Sequence, residues 1–286
     1  MSPPQLNIFT ENALPIFIML EIFQYDFMIR AFIAGLCIGA IAPLIGLFLV
    51  VRRYSLLADT LAHVSLFGVA GAIFFAIPPI IGALISSIVA ALGIEWLRKS
   101  KKVEGESILA LFLSGSLAGA LIILGLAGGL NANIFAYLFG SITTVSRVDL
   151  YIIGACAIAV IAVIFLLFKQ FFLLSYDQDL ATINGLPVKM LNAVLMILAA
   201  ITIAISMRIV GVLLIGALMV IPVLSAIQFG VGFSRTLLLG VVLSLFSVIS
   251  GLFLSFYLNV PSGAAIVLIA LLLFALSLAA NKLHIV

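Results

Sequence analysis

This sequence predicts an all-α integral membrane protein with about nine transmembrane helices, and three observations carry the prediction. The first is composition: 66% of the 286 residues are apolar, only 8% are charged, and mean hydropathy is +1.46. A soluble domain runs about 45–50% apolar and about 25% charged. So few charges cannot coat a folded surface of this size in water. That excludes a soluble enzyme, a disordered chain and a nucleic-acid-binding domain. The second is that apolar runs of crossing length recur along the chain. The third is that Lys and Arg fall unevenly on alternate loops. The net charge of +3 is therefore read through position and does not point to nucleic acid.

A helix needs roughly 20 apolar residues to cross the hydrocarbon core. Runs fall at about 31–51, 54–77, 80–97, 107–127, 150–168, 190–207, 210–229, 236–257 and 263–280. Pro78-Pro79 separates the second from the third, and the polar run Arg98–Glu106 separates the third from the fourth. Pro222 interrupts the seventh, which a membrane helix tolerates when neighbours satisfy the freed carbonyl. Two stretches do not fit as spans. Residues 1–26 contain Glu11, Pro15 and Glu21 and read as an interfacial N-terminal arm, without the basic start of a cleaved signal. Residues 129–149 are too polar at both ends to cross and read as an external re-entrant or interfacial segment. The 286 residues thus form a single transmembrane domain.

Nine spans sort the loops into two sets. One holds Arg52, Arg53, Arg98, Lys99, Lys101, Lys102, Lys169, Lys189, Arg235 and Lys282; the other holds Arg30, Arg147 and Arg208. The positive-inside rule puts the larger set in the cytoplasm. The N-terminus is then outside, the C-terminus inside, and the 169–189 loop cytoplasmic. No Gly-x-x-x-x-Gly-Lys-Ser/Thr phosphate loop and no His-Glu-x-x-His occurs. The chain is therefore expected to be a transport subunit without its own ATPase motif, not an enzyme. Cys37 and Cys156 lie within apolar runs and read as buried free thiols.

Charged groups inside spans are costly, at roughly 2.5–3.5 kcal/mol for a central carboxylate on the insertion scale. Asp59 and His63 lie four apart in the second run, which puts them on one helix face. A local Asp–His hydrogen bond is one reading. A metal site is the other, because imidazole and carboxylate ligate Zn²⁺ and also suit Mn²⁺ and Fe²⁺. Two copies related by a two-fold axis would supply four ligands. The remaining charges have simpler accounts. Asp26 and Arg30 pair at an interface. Glu95 reaches the headgroups, and Arg208 snorkels from a span end. The Arg98–Glu106 run is a solvated loop. Gly35-x-x-x-Gly39 and Gly115-x-x-x-Gly119 read as plain helix packing.

The stretch Arg52-Arg53-Tyr54-Ser55-Leu56-Leu57-Ala58-Asp59-Thr60-Leu61-Ala62-His63-Val64-Ser65-Leu66-Phe67-Gly68 resembles the signature of the permease subunits of metal-ion ABC importers. These take up zinc, manganese or iron(II). Three further stretches agree: Ala136-Tyr137-Leu138-Phe139-Gly140-Ser141, the run from Arg208 through Gly211 and Gly216 to Pro222, and Pro261-Ser262-Gly263-Ala264 onward. Residues 175–186 are similar to the family's coupling segment, with Asp177, Asp179, Ala181 and Gly185 at the matching positions. Asp179 stands where Glu is commoner. Without the resemblance, that stretch is a polar loop with a helix start at Asp177 and a Gly stop.

The resemblance implies the type II ABC importer permease fold in a bacterial-type cytoplasmic (inner) membrane. It also implies a second copy of the chain, ATPase subunits on the cytoplasmic side that dock on the coupling loop, and an extracytoplasmic metal-binding protein. No tightly bound cofactor is expected, the divalent metal being cargo. The positions matching Asp59 and His63 lie on the family's translocation path. The wording around them is nearest to the zinc permeases, although the ligand types suit manganese and iron(II) as well. A proton-driven secondary metal transporter stays open as an alternative, with Asp59 and His63 as a proton relay. An intramembrane metalloenzyme lacks a recognisable base and nucleophile.

Overall fold

The computed structural model describes residues 22–100, 104–127 and 132–282. Most of the arm at 1–26, and the loop lysines Lys101 and Lys102, lie outside the described residues. Within them the chain is entirely helical. A 3₁₀ turn at Ile22–Gln24 leads into α1 (Asp26–Val51), α2 (Ser55–Phe74), α3 (Pro79–Lys99) and α4 (Gly105–Leu126). A short α5 (Ala132–Phe139) precedes α6 (Arg147–Leu166), α7 (Phe168–Tyr176) and α8 (Gln178–Ile183). Then come α9 (Val188–Ser206), α10 (Ile215–Ile227), α11 (Phe233–Leu258) and α12 (Ser262–Lys282).

Eight of these helices are long and apolar enough to span a membrane. They correspond to eight of the nine apolar runs. Local signals set several boundaries. Pro79 occupies the first turn of α3, where its missing N–H costs nothing. Ser146 opens α6 with a capping box: its hydroxyl accepts from Asp149 N at 3.1 Å, and Asp149 Oδ2 accepts from Ser146 N at 3.0 Å. Asn259 closes α11 in the left-handed region, φ 52°, two residues before Pro261.

The seventh run is different. Its last 13 residues form α10, which at ~1.5 Å per residue is about 20 Å long and falls short of the ~30 Å core. Residues 207–214 before it are turns. Irregular backbone at membrane depth is tolerated only where protein surrounds it and satisfies its polar groups. Both conditions hold. Met207, Ile209 and Val210 are fully buried. Val212 N donates to Tyr137 O at 3.0 Å and Leu213 N to Leu138 O at 3.2 Å, while Ser141 N donates to Arg208 O and Ser262 Oγ to Ile209 O. The broken segment thus satisfies the last free carbonyls of α5. Gly211 makes the turn, at φ +85°, a conformation that L side chains rarely adopt.

The core sits on α1, α2 and α9, which are buried over most of their lengths; α4 and α6 expose most of theirs. α2 packs on α3 and α4, α1 on α11, α9 on α3, and α10 against α1, α11 and α12. Gly35 and Gly39 face Val248 of α11, so the first glycine pair is packing.

Five charges behave otherwise than the sequence suggests: Glu95, Arg98, Lys99, Glu106 and Arg208. Glu95 does not reach toward headgroups: it is 4% exposed and sits 3.7 Å from Arg98 and 3.5 Å from Lys99, one turn on. Arg98 and Lys99 accordingly belong to α3 and not to a solvated loop, and Glu106 lies in the first turn of α4. Arg208 does not snorkel. Its side chain turns inward to Asp149 Oδ2 at 3.0 Å and Thr144 O at 2.7 Å, and lies over the Tyr137 ring. A buried carboxylate and a backbone carbonyl thus take the place of water around this guanidinium. Asp26 and Arg30 do pair, at 3.3 Å.

Candidate functional site

α2 carries one open stripe along an otherwise buried helix. Leu56, Asp59, His63, Phe67, Gly71 and Phe74 are exposed or half-buried, and the intervening positions are nearly all buried. The steps of three and four residues make this a single line along the helix. Asp59 and His63 therefore share the least covered face of α2, each of them half-buried. They make no hydrogen bond or ion pair with each other among the described residues. His63 Nδ1 is buried without a hydrogen-bond partner. No protein acceptor fixes which ring nitrogen carries the proton, so a lone pair stays free for a ligand.

The Asp59 carboxylate rests on α10. A Cβ placed on Gly216 would overlap Asp59 Oδ1 and lie 3.0 Å from Cγ. Gly216 is the second residue of α10, and Leu214 supplies no side-chain cap. The carboxylate thus lies against the uncapped N-terminal turn, where the helix dipole favours negative charge. This explains how an ionisable group is held here without a Lys or Arg beside it. The broken seventh run is what brings that helix end to Asp59, an arrangement that continuous helices would not allow.

Among the described residues, no three of His, Cys, Asp and Glu gather closely enough to hold a metal. One chain therefore offers two donors. Asp59 is also not the most deeply placed carboxylate. Asp149 and Glu95 are more buried, but each has a cationic partner. What distinguishes Asp59 is the lack of one.

The 169–189 loop folds into α7 and α8. Asp177 breaks the two apart and caps α8, its Oδ1 accepting from Asp179 N at 2.8 Å and Leu180 N at 3.0 Å. Gly185 ends α8 at φ +75°, with Leu186 N returning to Ala181 O at 3.1 Å. Ala181 is buried beneath α8, while Tyr176 and Ile183 are 79% and 82% exposed and Asp179 is open. Phe48 of α1, Phe171 of α7 and Phe233 of α11 meet ring to ring below this segment. Aromatic contacts thus tie α7, which precedes α8, to α1 and α11.

Sequence reasoning missed the Arg208–Asp149–Ser146 knot. No periodicity connects residues 59 positions apart. In the sequence Asp149 marks only the polar end of the 129–149 stretch.

The pattern of the family described as "ABC 3 transport family" matches residues 24–281. The "Probable metal transport system membrane protein" of Treponema pallidum is 37% identical over 91% of this chain and 97% of its own length. The "High-affinity zinc uptake system membrane protein ZnuB" of Haemophilus influenzae is 29% identical over 89% of this chain and 98% of its own length. Further relatives are named for manganese and for iron transport. Among solved structures, PsaBC from Streptococcus pneumoniae in complex with Fab superposes with a TM-score of 0.84 at 27% identity, over 95% of this chain and 100% of that one.

Proposed function

The chain belongs to the ABC 3 transport family and is an ABC-type metal-ion permease subunit; we propose that it moves zinc into the cytoplasm, driven by ATP hydrolysis on a separate ATPase subunit. The observation that carries this reading is the open stripe of α2. A carboxylate and an imidazole without protein partners would face lipid if the chain stood alone, at a cost of several kcal/mol. A second copy laid against the stripe removes that cost. It also brings two Asp59 and two His63 together, four N/O donors in the number zinc prefers. Manganese favours about six oxygen-rich ligands, which this set does not supply. The ion is cargo, so weak holding suits the site. The α10 N-terminus that lies against Asp59 also opposes a cation beside it.

The basic end of the bundle faces the cytoplasm in this reading. Arg30 and Arg147 lie near Asp26, and Arg208 pairs with Asp149. The rule counts Lys and Arg rather than net charge, so these three cations against the ten at the other end carry the orientation. The exposed Tyr176, Asp179 and Ile183 face of α7–α8 is then the surface for the ATPase. An extracytoplasmic metal-binding protein would deliver the ion to the other end.

Purification of the chain with the ATPase that accompanies it tests the proposal. ATP hydrolysis should rise with zinc-loaded binding protein and stay at its basal rate with the manganese-loaded form. Stimulation by manganese alone would reassign the cargo. Uptake that persists without the ATPase and stops with an uncoupler would overturn the drive.

A further inference from the structure

Away from the Asp59 face, the Arg-rich end holds a cavity of about 240 Å³, room for a headgroup phosphate and a few waters at ~30 Å³ each. The α1–α2 turn, the end of α3 and the start of α4 enclose it. Arg52, Arg53, Tyr54, Arg98 and Glu106 line its polar side, and Met196 lies on its apolar side. Arg52 and Arg98 bring their guanidinium carbons within 5.0 Å and 4.2 Å of the same Tyr54 ring centroid. Arg98 also donates to the Tyr54 hydroxyl.

The charges in this cavity do not balance. Glu95 is matched by Arg98 and Lys99. The carboxylate lining the cavity, Glu106, is exposed. Arg52 is half-buried, and neither it nor Arg53 has an ion pair among the described residues. Burial, foremost, disfavours the charged Arg52 guanidinium, with Arg98 adding to the effect and Tyr54 and Glu95 opposing it. Arg53 sits at φ 60°, a region that costs an ordinary side chain roughly 1–2 kcal/mol and that Gly would adopt freely. That conformation closes α1, with Arg53 N donating to Val50 O and Tyr54 N to Leu49 O, and the closing turn sets Arg53 at the cavity's edge. Arginine forks are shaped for planar oxyanions, phosphate above all.

We propose that this cavity binds a phosphate-bearing anion, and that the headgroup of an anionic phospholipid fills it. Depth favours the lipid over a soluble phosphate. Trp96, the only tryptophan in the chain and 71% exposed, lies two residues before Arg98 on α3. Exposed Trp marks the headgroup level. Val51, exposed at the end of α1, flanks the turn that carries the arginines and offers apolar surface for an acyl chain. Basic pockets between membrane helices are the physical setting in which anionic headgroups are held.

The test uses the purified full-length chain, exchanged into phosphatidylcholine with and without phosphatidylglycerol, with retained lipid counted by native mass spectrometry. The wild-type chain should keep phosphatidylglycerol in preference to phosphatidylcholine. The double variant Arg52→Gln, Arg53→Gln should weaken that preference roughly thirty-fold, as loss of two surface-level cations implies. The double variant Arg52→Lys, Arg53→Lys should keep most of it. No preference in the wild-type chain, or equal preference in the Gln variant, would overturn the lipid site. Wild-type-only stabilisation by inorganic phosphate without any lipid preference would keep the anion chemistry and assign it to a soluble phosphate. An anion preference absent from the chain alone, with these arginines protected only when the ATPase is bound, would overturn the proposal in favour of an acidic protein surface.

Discussion

Replacing Gly216 with Ala perturbs the candidate site without touching a charged group. The added Cβ would overlap Asp59 Oδ1 and stand 3.0 Å from Cγ, where carbon contacts settle at about 3.5–4.0 Å. The carboxylate must therefore withdraw by roughly 1 Å, or α2 and α10 must part. Overpacking of this kind costs about 1–3 kcal/mol, which a bundle with this much buried apolar surface survives. The effect on transport should be larger than the effect on stability. Asp59 loses its seat on the α10 N-terminus, and its position relative to His63 changes. Misplacement of a reacting group by about 1 Å typically lowers rate ~100-fold, so radioactive zinc uptake should fall by roughly ten- to a hundred-fold. The assay is uptake in cells lacking their own zinc importer, with membrane level followed by immunoblot. Wild-type uptake at wild-type level would refute the idea that α10 positions Asp59.

Asp149→Asn leaves the Arg208 guanidinium buried without its counter-charge, and should lower stability by about 3–5 kcal/mol, measured as a fall in Tm of the purified chain. The double variant Asp149→Leu, Arg208→Met should recover most of that loss, except about 1 kcal/mol from the missing α6 cap. If the double variant is as unstable as the single, the ion pair is not the cause. Asp177→Ala removes the α8 cap at about 1 kcal/mol and should uncouple the assembly, with ATP hydrolysis retained and zinc uptake reduced several-fold. Uptake and hydrolysis falling in equal measure would point instead to lost assembly.

The eight long helices were legible because a spanning helix must be apolar for its whole length, and nothing else in a sequence looks like that. The break in the seventh run was not. Ile209, Val210, Val212, Leu213 and Leu214 are as apolar as any helix, and the carbonyls that satisfy the broken backbone belong to Tyr137 and Leu138, far away in sequence. Only Gly211 hinted at it. The same distance hid Arg208 and Asp149 from each other. Glu95 is a different case. Arg98 and Lys99 follow it at three and four residues, so its local pairing could have been read from spacing alone. The Asp59–His63 face was legible from the i, i+4 step. That the stripe lies open, and that α10 ends against it, needed the folded chain.

The most direct measurement is radioactive zinc uptake by His63→Ala in cells without another zinc importer, with the variant confirmed in the membrane and still bound to its ATPase. Uptake should disappear while ATP hydrolysis persists. Uptake at the wild-type rate would mean that the ion does not pass the open stripe of α2.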